Sequence, residues 1–421
     1  MINFFKKRIG LIILLVTILA FPSSLSTQAR LNMRAIVTGL AIDRVDDKYE
    51  ITAQIVKTSP STESGGEKAT VNFVSDTDKT IIGAISKLSY KTGKTAAFSH
   101  TNFVILGKDV LEEDLTTTLD YFMRDNITND SMLLLMAEDK ASDEIKKTKD
   151  VELSIAIGLQ KVFMYREKEG DGVMTSLLDF MKDSNSVSGA SVVSLLSLEK
   201  NAESGEDNPL GDKKQGSTDS TANTGSSGES GTEDGGEQGG GSKYQYFKAQ
   251  TELCCFVDGQ FVGKLEKDEV LGYMLANKKA TIDDVYVDEI ENEILKAKRI
   301  GVKIKDKTNK LKVRFEDNTP CLDLTVKIKN SAVYEIQSDE LIDIPTDAEF
   351  EEIKKEISNK ISKNISACFE KLKSLGADVW GAYALAQKYH YKKTNETYNS
   401  RTEFLNALRL NVIVEIDRLE Y

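Results

Sequence analysis

Residues 201–242 constrain this chain more than any other stretch. They hold eleven glycines, seven serines and nine acidic residues against two lysines, and only Ala202, Leu210 and Ala222 are apolar. So little apolar surface does not offset the entropy of ordering the segment. As a flexible coil its ends lie roughly 35 Å apart, and acidic self-repulsion extends it further. The rest of the sequence divides into 30–200 and 243–421, roughly 170 and 180 residues, each of domain size. The segment reads as a disordered linker inserted in a surface loop, with a binding tether as the functional alternative. Deleting it is expected to leave both halves folded.

The other strong signal is at the start. Lys6, Lys7 and Arg8 precede an apolar run from Ile9 to Phe21, and small polar residues follow as far as Ala29. At ~1.5 Å per residue the run covers about 20 Å, short of the ~30 Å of membrane hydrocarbon. Residues 1–29 therefore read as a signal peptide cleaved after Ala29, or as a retained N-terminal anchor running on to Leu25. Cleavage removes three basic residues and no acidic ones, taking the formal charge from −12 to −15. Such a balance leaves no basic face for nucleic acid. The four cysteines, Cys254, Cys255, Cys321 and Cys368, match no zinc spacing. Buried thiols are expected, although an exported compartment permits bridges.

Patterning predicts a mixed α/β fold in more than one domain. In 30–200, Ala35–Asp43 and Tyr49–Ile55 read as a hairpin, and Asp78–Tyr90 as a helix with Ile81, Ile82, Ile85 and Leu88 on one stripe. Asn102–Leu106 and Met132–Ala137 are continuously apolar, as strands buried on both faces are. Helices are expected at Leu111–Met123 and near Asp143–Lys147, giving a partly parallel sheet, and Val151–Leu198 reads as mostly helical. In 243–421, Asp258-Gly259 joins two apolar runs as a hairpin turn. Alternation then continues through Val302/Ile304, Leu311/Val313/Phe315 and Leu322/Leu324/Val326/Ile328. A long helix carries Ile353, Ile357, Ile361, Ile365, Phe369 and Leu372 on one stripe, opened by a Thr346/Glu349 capping box. After a break at Gly376, Asp378–Tyr389 is a second helix, and Leu408–Leu419 a final strand. This half is expected to be an antiparallel sheet with long helices on one face.

No catalytic constellation, cofactor motif or metal-ligand set emerges. Gly93-Lys94-Thr95 lacks the preceding glycine of a phosphate loop, and Asp76/Asp78 lacks the glycine of a calcium loop. Ser197 and Lys200 fit Ser-x-x-Lys without companion motifs. His100 and His390 are the only histidines, and structural roles are expected for both: hydrogen bonding for His100, a helix C-terminus for His390. Trp380 is expected as a core anchor, an exposed partner-binding role being the alternative. The chain reads as a binding or assembly protein.

Ordered blocks give this reading a family. Leu31–Asp43 (LNMRAIVTGLAID) with Tyr49–Val56, His100–Gly107 (HTNFVILG), Leu119–Asp125 (LDYFMRD), Cys255–Met274 (CFVDGQFVGKLEKDEVLGYM) and Lys373–Ala384 (KSLGADVWGAYA) resemble the Ger(x)C family, the C subunits of spore nutrient germinant receptors. The resemblance implies a non-enzymatic, exported, membrane-associated subunit on the outer face of the spore inner membrane. Its implied partners are integral-membrane subunits, one transporter-like (B-type) and one larger (A-type), and the complex senses nutrients. Family members are usually lipoproteins, but no cysteine precedes Cys254. Retention is therefore expected from the N-terminal segment or from partners.

Overall fold

The computed structural model describes residues 33–60, 67–124, 128–147, 155–199, 246–247, 252–278, 285–292, 297–338 and 346–420. The expected leader, 1–29, and the expected linker, 201–242, lie outside the described residues.

The expected hairpin forms from β1 (Arg34–Val45) and β2 (Lys48–Pro60), with β3 (Glu67–Asp78) added antiparallel to β2. α1 (Ile81–Thr92) starts where Thr80 Oγ1 accepts the Gly83 N–H, and buries Ile81, Ala84, Ile85 and Leu88. Ile82, expected on that stripe, is instead exposed. β4 (Thr95–Ala97) and β5 (Phe103–Leu106) run parallel to β1, followed in parallel by β6 (Leu133–Ala137) and β7 (Ala190–Leu196). Between them lie α2 (Leu115–Arg124), α3 (Ala141–Lys147), α4 (Ile155–Lys168) and α5 (Leu177–Ser184).

The helix expected from Leu111 starts later. Residues Lys108–Glu112 form a 3-10 turn, and Asp114 accepts both the N–H and the hydroxyl of Thr116, which resets the start to Leu115. Val151–Leu198 is also not mostly helical, because its last part is β7, buried throughout. Apolar runs in β5 and β6 serve two layers. Val104, Leu106, Leu134 and Met136 pack with α1, α2 and α5, while Phe103, Ile105, Leu133 and Leu135 pack with α3 and α4.

Strands from both sides of 201–242 share this sheet. β8 (Leu198–Glu199) pairs antiparallel with β9 (Tyr246–Phe247), and β10 (Leu253–Val257) pairs antiparallel with β7. β11 (Gln260–Leu265) completes the Asp258-Gly259 hairpin. The order is β11-β10-β7-β6-β5-β1-β2-β3, with β4 beside β1. Glu199 sits opposite Tyr246, so the two ends of the intervening stretch are strand neighbours. Shortening that loop lowers its closure entropy by about 2 kcal/mol. Deletion of 201–242, which leaves four residues between Glu199 and Tyr246, is therefore expected to hold or raise the thermal midpoint. A fall of more than a few degrees by calorimetry would show that the segment packs.

The remainder opens with α6 (Lys267–Ala276) and β12 (Val285–Asn292). Two 20-residue strands follow, β13 (Ala297–Glu316) and β14 (Thr319–Ser338), turning at Asp317 with φ 53°. α7 (Asp347–Ser374) has the expected capping box and buries Ile353, Ile357, Ile361 and Ile365 against this sheet, while Phe369 packs in the cluster of Val313 and Leu322, and Leu372 packs with Leu253 and Leu265 of β10 and β11. It stops before Gly376, whose φ is 69°. α8 (Ala382–Tyr389), α9 (Tyr391–Thr397) and α10 (Arg401–Ala407) lead to β15 (Arg409–Ile416) and β16 (Leu419–Glu420). β12, β13 and β14 are antiparallel, whereas β15 and β16 run parallel to β14, because the helices α7 to α10 intervene and return the chain to the starting end.

Candidate functional site

The sequence blocks that carry the resemblance build two buried junctions. Asp43 lies near the C-terminal end of β1, and its two carboxylate oxygens accept the N–H groups of Ala141 (2.7 Å) and Ser142 (2.8 Å) at the start of α3. A strand carboxylate thus caps a helix about a hundred residues away. Burial pushes its pKa up, against the lowering effect of those hydrogen bonds. Gly107 makes room for it: a Cβ there would sit 2.2 Å from Asp43 Oδ1.

Asp378 repeats the device between the two halves of the chain. Its Oδ1 accepts the Ala382 N–H and its Oδ2 the Tyr383 N–H, each at 2.7 Å, at the start of α8. Gly381, at the N-cap position, has no side chain to do this. Ser188 Oγ, in the turn before β7, also donates to Oδ2 at 2.7 Å. Burial raises the Asp378 pKa to about 6, while Ser188, the two N–H groups and Arg401 pull the other way. Beside it, Arg401 clamps Asp258 with Nη1 at 3.0 Å and Nη2 at 2.6 Å. The Asp258 N–H donates to Gly189 O at 2.7 Å. Gly189 has φ 60°, and a Cβ on it would meet both Arg401 and Asp258 within 2.2 Å, so this crossing requires glycine.

Trp380 lies in the same segment and takes the core-anchor role. It stacks on Phe369 (centroids 6.1 Å apart, planes 12°) and packs against three of the hydrophobic clusters. A cavity of about 200 Å³ opens beside this junction, walled by Glu167, Asp179 and Asp183 on one side and by Tyr273, Asn277 and Val379 on the other. The Tyr273 hydroxyl accepts from Asn277 Nδ2 at 2.9 Å, and burial pushes its pKa up. Burial also raises Glu167. No histidine is among the cavity walls, and the two aliphatic hydroxyls there are engaged, Thr175 donating to Val192 O at 2.7 Å and Ser191 bonding Ser184 at 3.1 Å.

The remaining sequence candidates are scattered. Asp76 pairs with Lys91 and Asp78 with Lys87, and both lysines also donate to β3 carbonyls, at Ser75 and Thr77. Gly93 is the left-handed C-cap of α1. Ser197 donates to Glu138, and Lys200 lies outside the described residues. His100 is exposed in the turn before β5. Its neighbour Thr101 is fully buried and donates to Val37 O. His390 ends α8 as expected, and its Nε2 donates to Val313 O at 2.9 Å. All four cysteines are buried and free, and burial pushes Cys254 and Cys255 up to about 12, far from thiolate chemistry. Among the described residues no three His, Cys, Asp or Glu side chains group as a metal site, and no helix is long and apolar enough to cross a membrane. The bonding roles of Asp43, Asp258 and Asp378 carry no signal in the sequence. Asp258 precedes the Gly259 of a turn, Asp378 follows Ala377 and Asp43 sits inside a strand, and each takes a partner from elsewhere in the fold.

The family described as "Spore germination protein N-terminal domain" matches residues 27–198, and "Spore germination B3/ GerAC like, C-terminal" matches residues 251–419. The solved structure titled "Crystal Structure of the GerBC protein" superposes with a TM-score of 0.52 at 13% identity, covering 90% of this chain and 96% of that one. That likeness is one of fold. No curated protein sequence matches the chain. With both family halves matched in order on either side of 201–242, the chain belongs to the Ger(x)C family of spore germination proteins.

Proposed function

We propose that this chain is the C subunit of a spore nutrient germinant receptor, working by docking and without catalysis. It acts on the outer face of the spore inner membrane, assembled with a transporter-like B-type subunit and a larger A-type subunit. The observation that carries this reading is the ordered match of both family halves across most of the chain. The scattered histidines and buried thiols support a non-enzymatic role, and the leader-like residues 1–29 support export. An uncleaved N-terminal segment or the partners hold it at the membrane. N-terminal sequencing separates these, since a start at Met1 means a retained segment and a start at Arg30 means cleavage.

The cavity walled by Glu167, Asp179, Asp183 and Tyr273 favours a second reading, a secreted ligand-binding protein of similar fold. Spores lacking this chain discriminate. The receptor reading expects them to lose the optical-density fall triggered by the cognate nutrient, with recovery on complementation. A panel of nutrients that all germinate the mutant at the wild-type rate would leave the secreted binding protein as the better account.

A further inference from the structure

Sheet edges are sites of unwanted pairing, and three of the four edges of the two large sheets are blunted. On β3, Lys87 and Lys91 donate to the carbonyls of Thr77 and Ser75. The β10–β11 ladder shifts register at Cys255/Phe256, and β12 shifts twice against β13. The fourth edge, β15, has none of these devices. Its eight residues pair with β14 in unbroken register, and they include no proline, no glycine and no inward-facing charge. Among the described residues, β14 and α7 are its main neighbours, and no other element packs closely along it.

The two faces of β15 differ sharply. Leu410, Val412, Val414 and Ile416 point towards the α7 layer but stay half-exposed, as on a layer left unfinished at its rim. Arg409, Asn411, Ile413 and Glu415 are exposed on the opposite face, Ile413 at 47%. The Asp417 N–H donates to Ile328 O on β14. Strand alternation then turns the N–H and C=O of Leu410, Val412, Val414 and Ile416 to the open side.

We propose that β15 pairs antiparallel with β15 of a second copy of this chain, about a two-fold axis at Val412. The sequence is complementary to its own reverse in that register. Val412 faces Val412 and Leu410 faces Val414, both on the apolar side. On the polar side Asn411 faces Ile413, and Arg409 faces Glu415, giving one opposite-charge pair at each end. A one-residue slip would set apolar side chains against the solvated face, so the pattern specifies the register. The product is a sheet continuous across two chains, with both α7 helices on one side. The partner is a like chain, so the pairing stands independently of the receptor assignment.

Crosslinking and charge reversal on the full-length chain in mild detergent test this. Val412→Cys places a thiol on the axis, where paired strand residues lie about 5.5 Å apart, within disulfide reach. It is expected to give a disulfide-linked homodimer under mild oxidation. Ile416→Cys, about 27 Å from its own copy in this register, is expected to stay monomeric on non-reducing gels. By sedimentation equilibrium, Glu415→Arg is expected to weaken association about tenfold, and Arg409→Glu with Glu415→Arg to restore it. Circular dichroism checks that each variant is folded. A wild-type chain that sediments as a monomer up to about 100 μM would overturn the pairing. So would equal crosslinking at positions 412 and 416, a folded double variant that stays weak, or a Val412→Cys chain that links only to a different protein.

Discussion

Replacing Asp378 by alanine is expected to lower the unfolding free energy by about 3 kcal/mol at neutral pH, measured by urea denaturation. The substitution leaves the Ala382 and Tyr383 N–H groups and the Ser188 hydroxyl without their acceptor in a buried site. Each orphaned donor costs about 1–3 kcal/mol, partly offset because a desolvated carboxylate is removed as well. The pH dependence carries the signature of this one group. Its pKa is about 6 in the fold against 3.8 for the free side chain, so the unfolded chain releases its proton first as pH rises. The stabilising contribution of the neutral carboxyl is complete below about pH 4 and is lost as pH rises through 6, amounting to about 3 kcal/mol. Asp43, also raised by burial, contributes in the same direction. The Asp378→Ala protein should show a shallower fall between pH 4 and 6 than wild type. Parallel curves for the two proteins would remove Asp378 from this role.

Phe256→Ala carries the other large expected effect, a loss of about 4 kcal/mol. Phe256 belongs to the C-terminal half by sequence, yet it is fully buried in the core of the first sheet. Its ring meets Phe180 edge-on at 5.4 Å and Phe261 at 5.8 Å. Truncation opens a cavity between β10 and α5, so elements on both sides of 201–242 should loosen together. Hydrogen exchange should then accelerate in β6 and β7 as well as in β10. Faster exchange confined to residues after 246 would mean that the two halves are energetically separate.

Most elements are legible in the sequence where burial is simple. The apolar runs of β5 and β6, the Ile353–Leu372 stripe of α7 and the Asp258-Gly259 turn all declare themselves locally. β7 does not, because Ser191 and Ser194 interrupt its apolar run. Both are buried and satisfied: Ser194 Oγ bonds the N–H and C=O of Val173, and Ser191 pairs with Ser184. β3 is hidden for the opposite reason. It is polar along much of its length and exists by pairing with β2, with two lysines from α1 bonding its carbonyls. Asp378 reads in the sequence as the first residue of a helix, whereas it stands four residues earlier than that helix and caps it from outside. The β7–β10 pairing joins residues some sixty positions apart across a stretch with no pattern of its own, and no local periodicity encodes such a contact.

Function by docking is tested most directly by affinity purification of the tagged chain from detergent-solubilised spore inner membranes. Two multispanning subunits should co-elute with it in fixed proportion. Recovery of the chain alone from those membranes, or chiefly as free protein in the culture fluid, would contradict the account.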